Sequence, residues 1–161
     1  MARHESDRED LMREATALVR RVELEVPGEP EPVVCGFRAD GRLSIYFGGD
    51  PVYHFDADGR LRRAFAAGHL FRTQGTTLAR LTRVRQPAHT ELQRHDLHPD
   101  ELALFLHSAH SRLKSLATAI RRSEFDVVRC VPDPDGRMLD DLRSKLAPIV
   151  ESQVRLAPRI K

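Results

Sequence analysis

Residues 55–65 read FDADGRLRRAF, and this stretch decides the expected fold. The same pattern recurs as FRADGRLSIYF at residues 37–47, with a weaker copy, FRTQGTTLARL, at residues 71–81. Each copy places a glycine four residues after a phenylalanine, so the three copies form an internal repeat. Asp-Gly between apolar runs is a strong hairpin signal, because a type I′ turn requires positive φ at both central residues. The repeat therefore predicts a series of β-hairpins.

The residues beside these turns alternate between apolar and other side chains, as in VVCGF at 33–37 and LSIYF at 43–47. A period of two is typical of a strand with one buried face. GGDP at 48–51 and AAG at 66–68 supply the turns between the hairpins. We expect an antiparallel meander of about six strands over residues 33–86.

Helical periodicity begins after the meander. His98 precedes Pro99, and Glu101 follows at the third helical position, which is a helix-start signal. Apolar residues then form one continuous stripe: Leu102, Phe105, Leu106, Ala109, Leu113, Leu116, Ala117 and Ile120. A single-layer sheet needs an apolar partner, so we expect this helix to cover one face of the meander.

The predicted fold class is α+β: an antiparallel β-meander of hairpin repeats packed against a long amphipathic helix, with flanking N- and C-terminal helices. Residues 7–22 are expected to form the N-terminal helix, with Ser6 and Glu9 at capping-box spacing. The predicted divisions are 1–32 for this helix and an acidic proline-rich linker, 33–154 for a single domain and 155–161 for a loose tail. Within the domain we expect the meander at 33–86, the long helix at 97–123, and a strand and helix at 125–154.

Composition indicates an ordinary globular chain of 161 residues, 40% hydrophobic and 31% charged. The apolar runs fall far short of the roughly 20 residues that span a bilayer, and the charged N-terminus shows no signal-peptide pattern. Cys35 and Cys130 are too few for a disulfide scaffold. We therefore expect a cytoplasmic protein that does not partner a membrane.

The charge of the chain is unevenly distributed although its net value is only +2. Residues 59–90 contain seven arginines and no acid, whereas residues 1–32 contain nine acids and five bases. Clustered basic residues suit a polyanion, and nucleic acid is the first choice. The expected phosphate contacts are Arg60, Arg62, Arg72, Arg80, Arg83 and Arg85, with His107, His110 and Lys114 as a second basic stripe. The alternative for these arginines is an ordinary solvated sheet face.

Two rival functions belong to other classes. The first is a protein-interaction or self-associating module, a possible homo-oligomer, that uses the acidic N-terminal region and the basic sheet. The second is a hydrolase-type enzyme centred on His54 and Asp56, which would act as an acid–base pair. The chain contains none of the common nucleotide-binding or hydrolase motifs, and its histidine pairs occur without a CxxC or HExxH metal-binding motif. A non-enzymatic protein without metal or cofactor is therefore the preferred expectation.

Overall fold

The computed structural model describes residues 8–9, 20–38, 40–48, 51–131 and 137–158. It is an α+β fold in which a large antiparallel sheet packs against two helices. The elements are β1 Arg20–Glu25, β2 Val33–Phe37, β3 Leu43–Tyr46, β4 Val52–Phe55, β5 Leu61–Ala66, β6 His69–Gln74, β7 Thr77–Arg85, β8 Thr90–Asp96, α1 Pro99–Arg121, β9 Asp126–Val131 and α2 Arg137–Glu151. The sheet order is β8-β7-β6-β5-β4-β3-β2-β1-β9.

The expected strand count of six was wrong, because the described sheet has nine strands. Strands β2 to β7 are the predicted meander over residues 33–86. β1 starts at Arg20, inside the predicted N-terminal helix, of which residues 10–19 lie outside the described part of the chain. β8 carries no apolar alternation, and β9 joins the sheet beside β1 at the far edge. β9 is the strand expected within residues 125–154, whereas β8 is a strand because it pairs with β7 rather than through a local pattern.

The Asp-Gly hairpin does not use the predicted type I′ turn. Within residues 56–60, all of them described, Gly59 alone has positive φ, at +80°. The Gly59 N–H donates to Asp56 O and the Asp56 N–H donates to Arg60 O, as in a type I turn closed by a glycine bulge. Two consecutive positive φ angles occur instead at Ala67 (52°) and Gly68 (79°), between β5 and β6.

The main core lies between α1, α2 and one side of the sheet, here called the helix face. Side chains such as Cys35, Ile45 and Phe55 point from the strands into this core. The start of α1 is as predicted, since the His98 N–H donates to Glu101 Oε1 at 3.1 Å and Pro99 follows. The cover that α1 provides is only partial, because its buried residues run from Ala109 to Ile120 and its first half is largely exposed.

The other side of the sheet, here called the opposite face, carries a smaller apolar row. Successive cross-strand pairs join Val34, Tyr46, Val52, Phe65 and Leu70 across β2 to β6. The first four are buried, and they form a second hydrophobic cluster. The meander is therefore buried on both faces near its middle.

The chain after α2 also packs against the sheet. α2 continues through Pro148 to Glu151. The Leu61 N–H donates to Arg155 O and the Ala157 N–H donates to Leu61 O, both at 2.8 Å. The segment expected to be loose from residue 155 is thus hydrogen-bonded to the start of β5.

Candidate anion-binding site

A β-bulge in β5 gathers two arginines on the opposite face. His54 pairs with Arg63 while Phe55 pairs with Leu61, so Arg62 is an extra residue. The neighbours of the two arginines, Leu61 and Ala64, are both buried in the main core. The bulge therefore leaves Arg62 and Arg63 side by side, whereas the period-two pattern had placed them on different faces.

The adjacent hairpin adds two further arginines. Arg38 and Arg42 flank the turn between β2 and β3, and the Arg38 N–H donates to Arg42 O at 3.0 Å. Both line one small pocket with Arg62 and Arg63. We call Arg38, Arg42, Arg62 and Arg63 the arginine cluster.

The pocket between these arginines has a polar floor. Ser44 and His54 are cross-strand partners on β3 and β4, and both are buried. Arg63 Nη2 lies 3.4 Å from His54 Nδ1. The pocket lining contains no carboxylate. The site thus combines guanidinium, imidazole and hydroxyl groups, all of which can donate hydrogen bonds to an anion.

The arginines of the cluster repel one another, although Arg42 Nε lies 3.2 Å from Asp40 Oδ2 in an ion pair. Desolvation lowers the pKa of Arg62, and the charges of Arg42 and Arg63 lower it further. Asp56 and Asp40 act in the other direction. Asp56 Oδ1 already accepts the backbone N–H groups of Asp58 and Arg60, because it caps its own turn. An anion in the pocket would relieve the mutual repulsion of the arginines.

The cluster continues onto the next strand. Arg63 on β5 is the direct cross-strand partner of Arg72 on β6, and Arg72 is exposed. Arg83 and Arg85 on β7 lie on the same face. The cross-strand pair Leu70–Leu81, at the end of the apolar row, separates them from Arg72. The arginines on this face therefore form one compact group at the hairpin tips and a second, more distant group.

The remaining predicted contacts do not share this surface. Arg80 lies on the helix face, opposite Phe71 and His95. Phe71 contacts Phe105 of α1 with ring centroids 4.9 Å apart. The predicted second stripe, His107, His110 and Lys114, is carried by α1 and thus lies on the other side of the sheet. Arg60 is exposed in the hairpin turn, near the cluster but outside the pocket lining.

The predicted contacts did not include Arg38, Arg42, Arg63 or Ser44. A usable signal was present in the repeat, because RADGR places an arginine on each side of a turn that brings them together. The four aromatic residues near the arginines, Tyr46, Tyr53, Phe65 and Phe71, are all buried. Stacking of bases on these rings is therefore not available at this site.

The two residues of the expected acid–base pair, His54 and Asp56, have different surroundings. His54 is buried on the opposite face beside Arg63, while Asp56 is committed to the turn amides. Within the described ranges, no group of three or more histidine, cysteine or acidic residues is placed to hold a metal ion. Cys35 and Cys130 do not form a disulfide bond.

Comparison with protein-family models, curated proteins and solved structures found no match to this chain. In the part of the chain that the structure describes, no helix is long and apolar enough to cross a membrane.

Proposed function

We propose that this chain is a non-enzymatic binding protein whose arginine cluster takes the phosphates of a polyanion, with nucleic acid as the preferred ligand. The observation that carries the proposal is the convergence of four arginines, Arg38, Arg42, Arg62 and Arg63, on one pocket without a lining carboxylate. The planar guanidinium group binds phosphate oxygens in pairs, which a single ammonium group cannot do. Arg72, the cross-strand partner of Arg63, extends the contact onto the neighbouring strand β6.

The proposed contact is to the phosphate backbone. Phosphate contacts position a protein on nucleic acid, whereas sequence is read at the base edges. Since the nearby aromatic rings are buried, they offer no stacking platform for bases. Binding should therefore be strongly salt-dependent and weakly selective for sequence.

The test is fluorescence anisotropy with labelled single-stranded DNA, duplex DNA and RNA at about 50 and 200 mM salt, a range over which several phosphate contacts cost orders of magnitude in affinity. The site variant is Arg62→Ala/Arg63→Ala. The matched control is Arg121→Ala/Arg122→Ala, which removes two adjacent exposed arginines on the other side of the sheet. We expect the site variant to bind at least about tenfold more weakly and the control to stay within about twofold.

Each alternative outcome is informative. No binding at the lower salt would reject nucleic acid as the ligand. Equal losses in the two double variants would reject the arginine cluster as the site, because the effect would then follow total charge. Competition by poly-glutamate as strong as by DNA would move the assignment to an acidic protein partner.

One observation favours the acidic-partner reading as a second candidate. Glu25, Glu31, Glu124 and Asp126 line a pocket at the far edge of the sheet, together with Glu29. This acidic region could dock on the arginine cluster of another copy in a head-to-tail manner. Head-to-tail association can add further copies without limit, and salt weakens it by screening the charges. The mass of the chain in solution, measured at low and high salt, tests it.

A further inference from the structure

Strand β8 forms an open edge of the sheet. It is the last strand in the order, and all seven of its residues, Thr90–Asp96, are exposed. Its pairing with β7 is regular over the whole length, without a register shift. The edge strands of monomeric proteins are normally protected against pairing by bulges, prolines or charged side chains, lysine above all.

The two edges of the sheet differ in this protection. At the other edge, the β1–β9 pairing shifts register between Glu23 and Leu24, where Val128 is the extra residue. β8 has no bulge and no proline, and its Leu92 side chain is 47% exposed. Its charged residues, Glu91, Arg94 and Asp96, are of both signs, so they can pair across an antiparallel contact with a second β8. β8 is therefore the edge more suited to receive another strand.

The hydrogen bonds next to β8 show which of its backbone groups point outward. His89 exchanges two backbone bonds with Gln86, and the Leu97 N–H donates to Leu78 O at 2.9 Å. In an antiparallel ladder such pairs recur at every second residue, so residues 91, 93 and 95 bond inward to β7. The outward N–H and C=O groups belong to Thr90, Leu92, Arg94 and Asp96.

We propose that β8 pairs with β8 of a second copy of this chain, antiparallel and about a two-fold axis at Gln93. In this register Thr90 lies opposite Asp96 of the second copy, and Leu92 lies opposite its Arg94. Each residue with outward backbone groups therefore faces another residue with outward backbone groups. The four outward N–H groups of each copy then bond to the four outward C=O groups of the other. All seven residues of β8 take part.

Side-chain chemistry selects this register among the even shifts that the backbone allows. Glu91 lies opposite His95 of the second copy, and Thr90 can donate its hydroxyl to Asp96 of the second copy. A shift that centres the axis on Arg94 would place the two Arg94 side chains together. A shift that centres it on Leu92 would remove the Glu91–His95 contact.

The proposed pairing joins two surfaces. With a two-fold axis perpendicular to the sheet, the side away from the helices, called the opposite face, is on the same side of the dimer in both copies. Arg83 and Arg94 of each copy then lie near the axis on one continuous face. This inference does not depend on the proposed function, because the dimer requires no ligand.

The test is the mass of the full chain in solution, by sedimentation or light scattering, at about 1 to 200 µM, the range of weak dimers. We expect twice the 18.3 kDa of one chain at the upper concentrations. Leu92→Pro removes one outward N–H and no bond to β7, so it should give a monomer. Leu104→Lys changes a leucine of α1 that is 71% exposed, and this control should remain a dimer.

Charge exchange tests the register. Glu91→Arg should weaken the dimer at least tenfold, because arginine then faces His95, and Glu91→Arg/His95→Glu should restore it. A monomeric wild-type chain at all concentrations would overturn the proposal. A dimer that survives Leu92→Pro, or a charge-exchanged variant that stays monomeric, would overturn the edge or its register. Circular dichroism confirms that each variant is folded.

Discussion

At the scale of single residues, one extra position in a strand creates the candidate site. Arg62 is the bulged residue of β5, and without it the strict alternation of a strand would send Arg62 and Arg63 to different faces. Leu61 and Ala64 keep their places in the core on either side of the bulge. The hydrophobic residues thus hold the strand in a register that concentrates positive charge beside His54.

A buried thiol gives a testable pH effect at the same scale. Burial raises the pKa of Cys35 to about 12. The unfolded thiol has a pKa of about 8.5, so the folded chain keeps this proton to higher pH. The resulting stability is complete below the unfolded pKa and is lost as the pH rises toward 12, by about 1.4 kcal/mol per pH unit.

We predict that the free energy of unfolding falls more steeply between pH 8 and pH 10 in the wild-type chain than in Cys35→Ala. Urea denaturation at the two pH values measures this difference, which should be roughly 1–2 kcal/mol. Cys130→Ala, at a half-buried site, should keep more of the wild-type dependence. Equal pH dependence in the wild type and in Cys35→Ala would contradict the assignment.

At the scale of elements, one arginine joins the loop after β1 to the middle of α1. Arg112 donates from Nε and Nη2 to Glu29, at 2.9 and 2.7 Å. Its guanidinium carbon lies 4.9 Å from the centre of the Phe47 ring. The Glu29 side chain is only 12% exposed, so its carboxylate depends on this partner.

We predict that Arg112→Met destabilises the chain by about 1–3 kcal/mol, because it leaves the Glu29 carboxylate poorly solvated and unpaired. Arg121→Met, at an exposed site on the same helix, should leave the unfolding midpoint unchanged. Chemical denaturation monitored by circular dichroism provides the comparison. If both variants unfolded at the wild-type midpoint, the Arg112–Glu29 pair would not contribute to the stability of the chain.

At the scale of the whole molecule, the segment after α2 connects the end of the chain to the middle of the sheet. Val154 and Ala157 are buried, and the backbone on both sides of Leu156 bonds to Leu61. Leu61 begins the strand that carries Arg62 and Arg63. The two hydrogen bonds and the buried side chains therefore hold the start of β5 from the helix face, on the other side of the sheet from the arginine cluster.

We predict that Ala157→Glu lowers the free energy of unfolding by at least about 2 kcal/mol, since it forces a carboxylate into a buried position. Arg155→Glu changes an exposed side chain two residues away and should have little effect on stability. Thermal unfolding of the two variants makes the test. A wild-type midpoint for Ala157→Glu would show that the segment is not packed in solution.

The local signals in the sequence determined the α+β class, the six central strands and the start of α1. Each depends on residues close together in the chain: the glycines of the repeated turns, the alternation beside them, and His98, Pro99 and Glu101 at the helix start. Turn and capping preferences are short-range, so they can be read without the fold.

The tertiary structure alone decided the nine-strand count, the bulge at Arg62 and the side of the sheet on which each basic residue lies. β8 has no apolar alternation of its own, and it is a strand because β7 supplies its hydrogen-bond partners. The arginines of two hairpins meet because Ser44 pairs with His54 and His54 pairs with Arg63. Such contacts join residues of different strands, and only the completed sheet fixes their register.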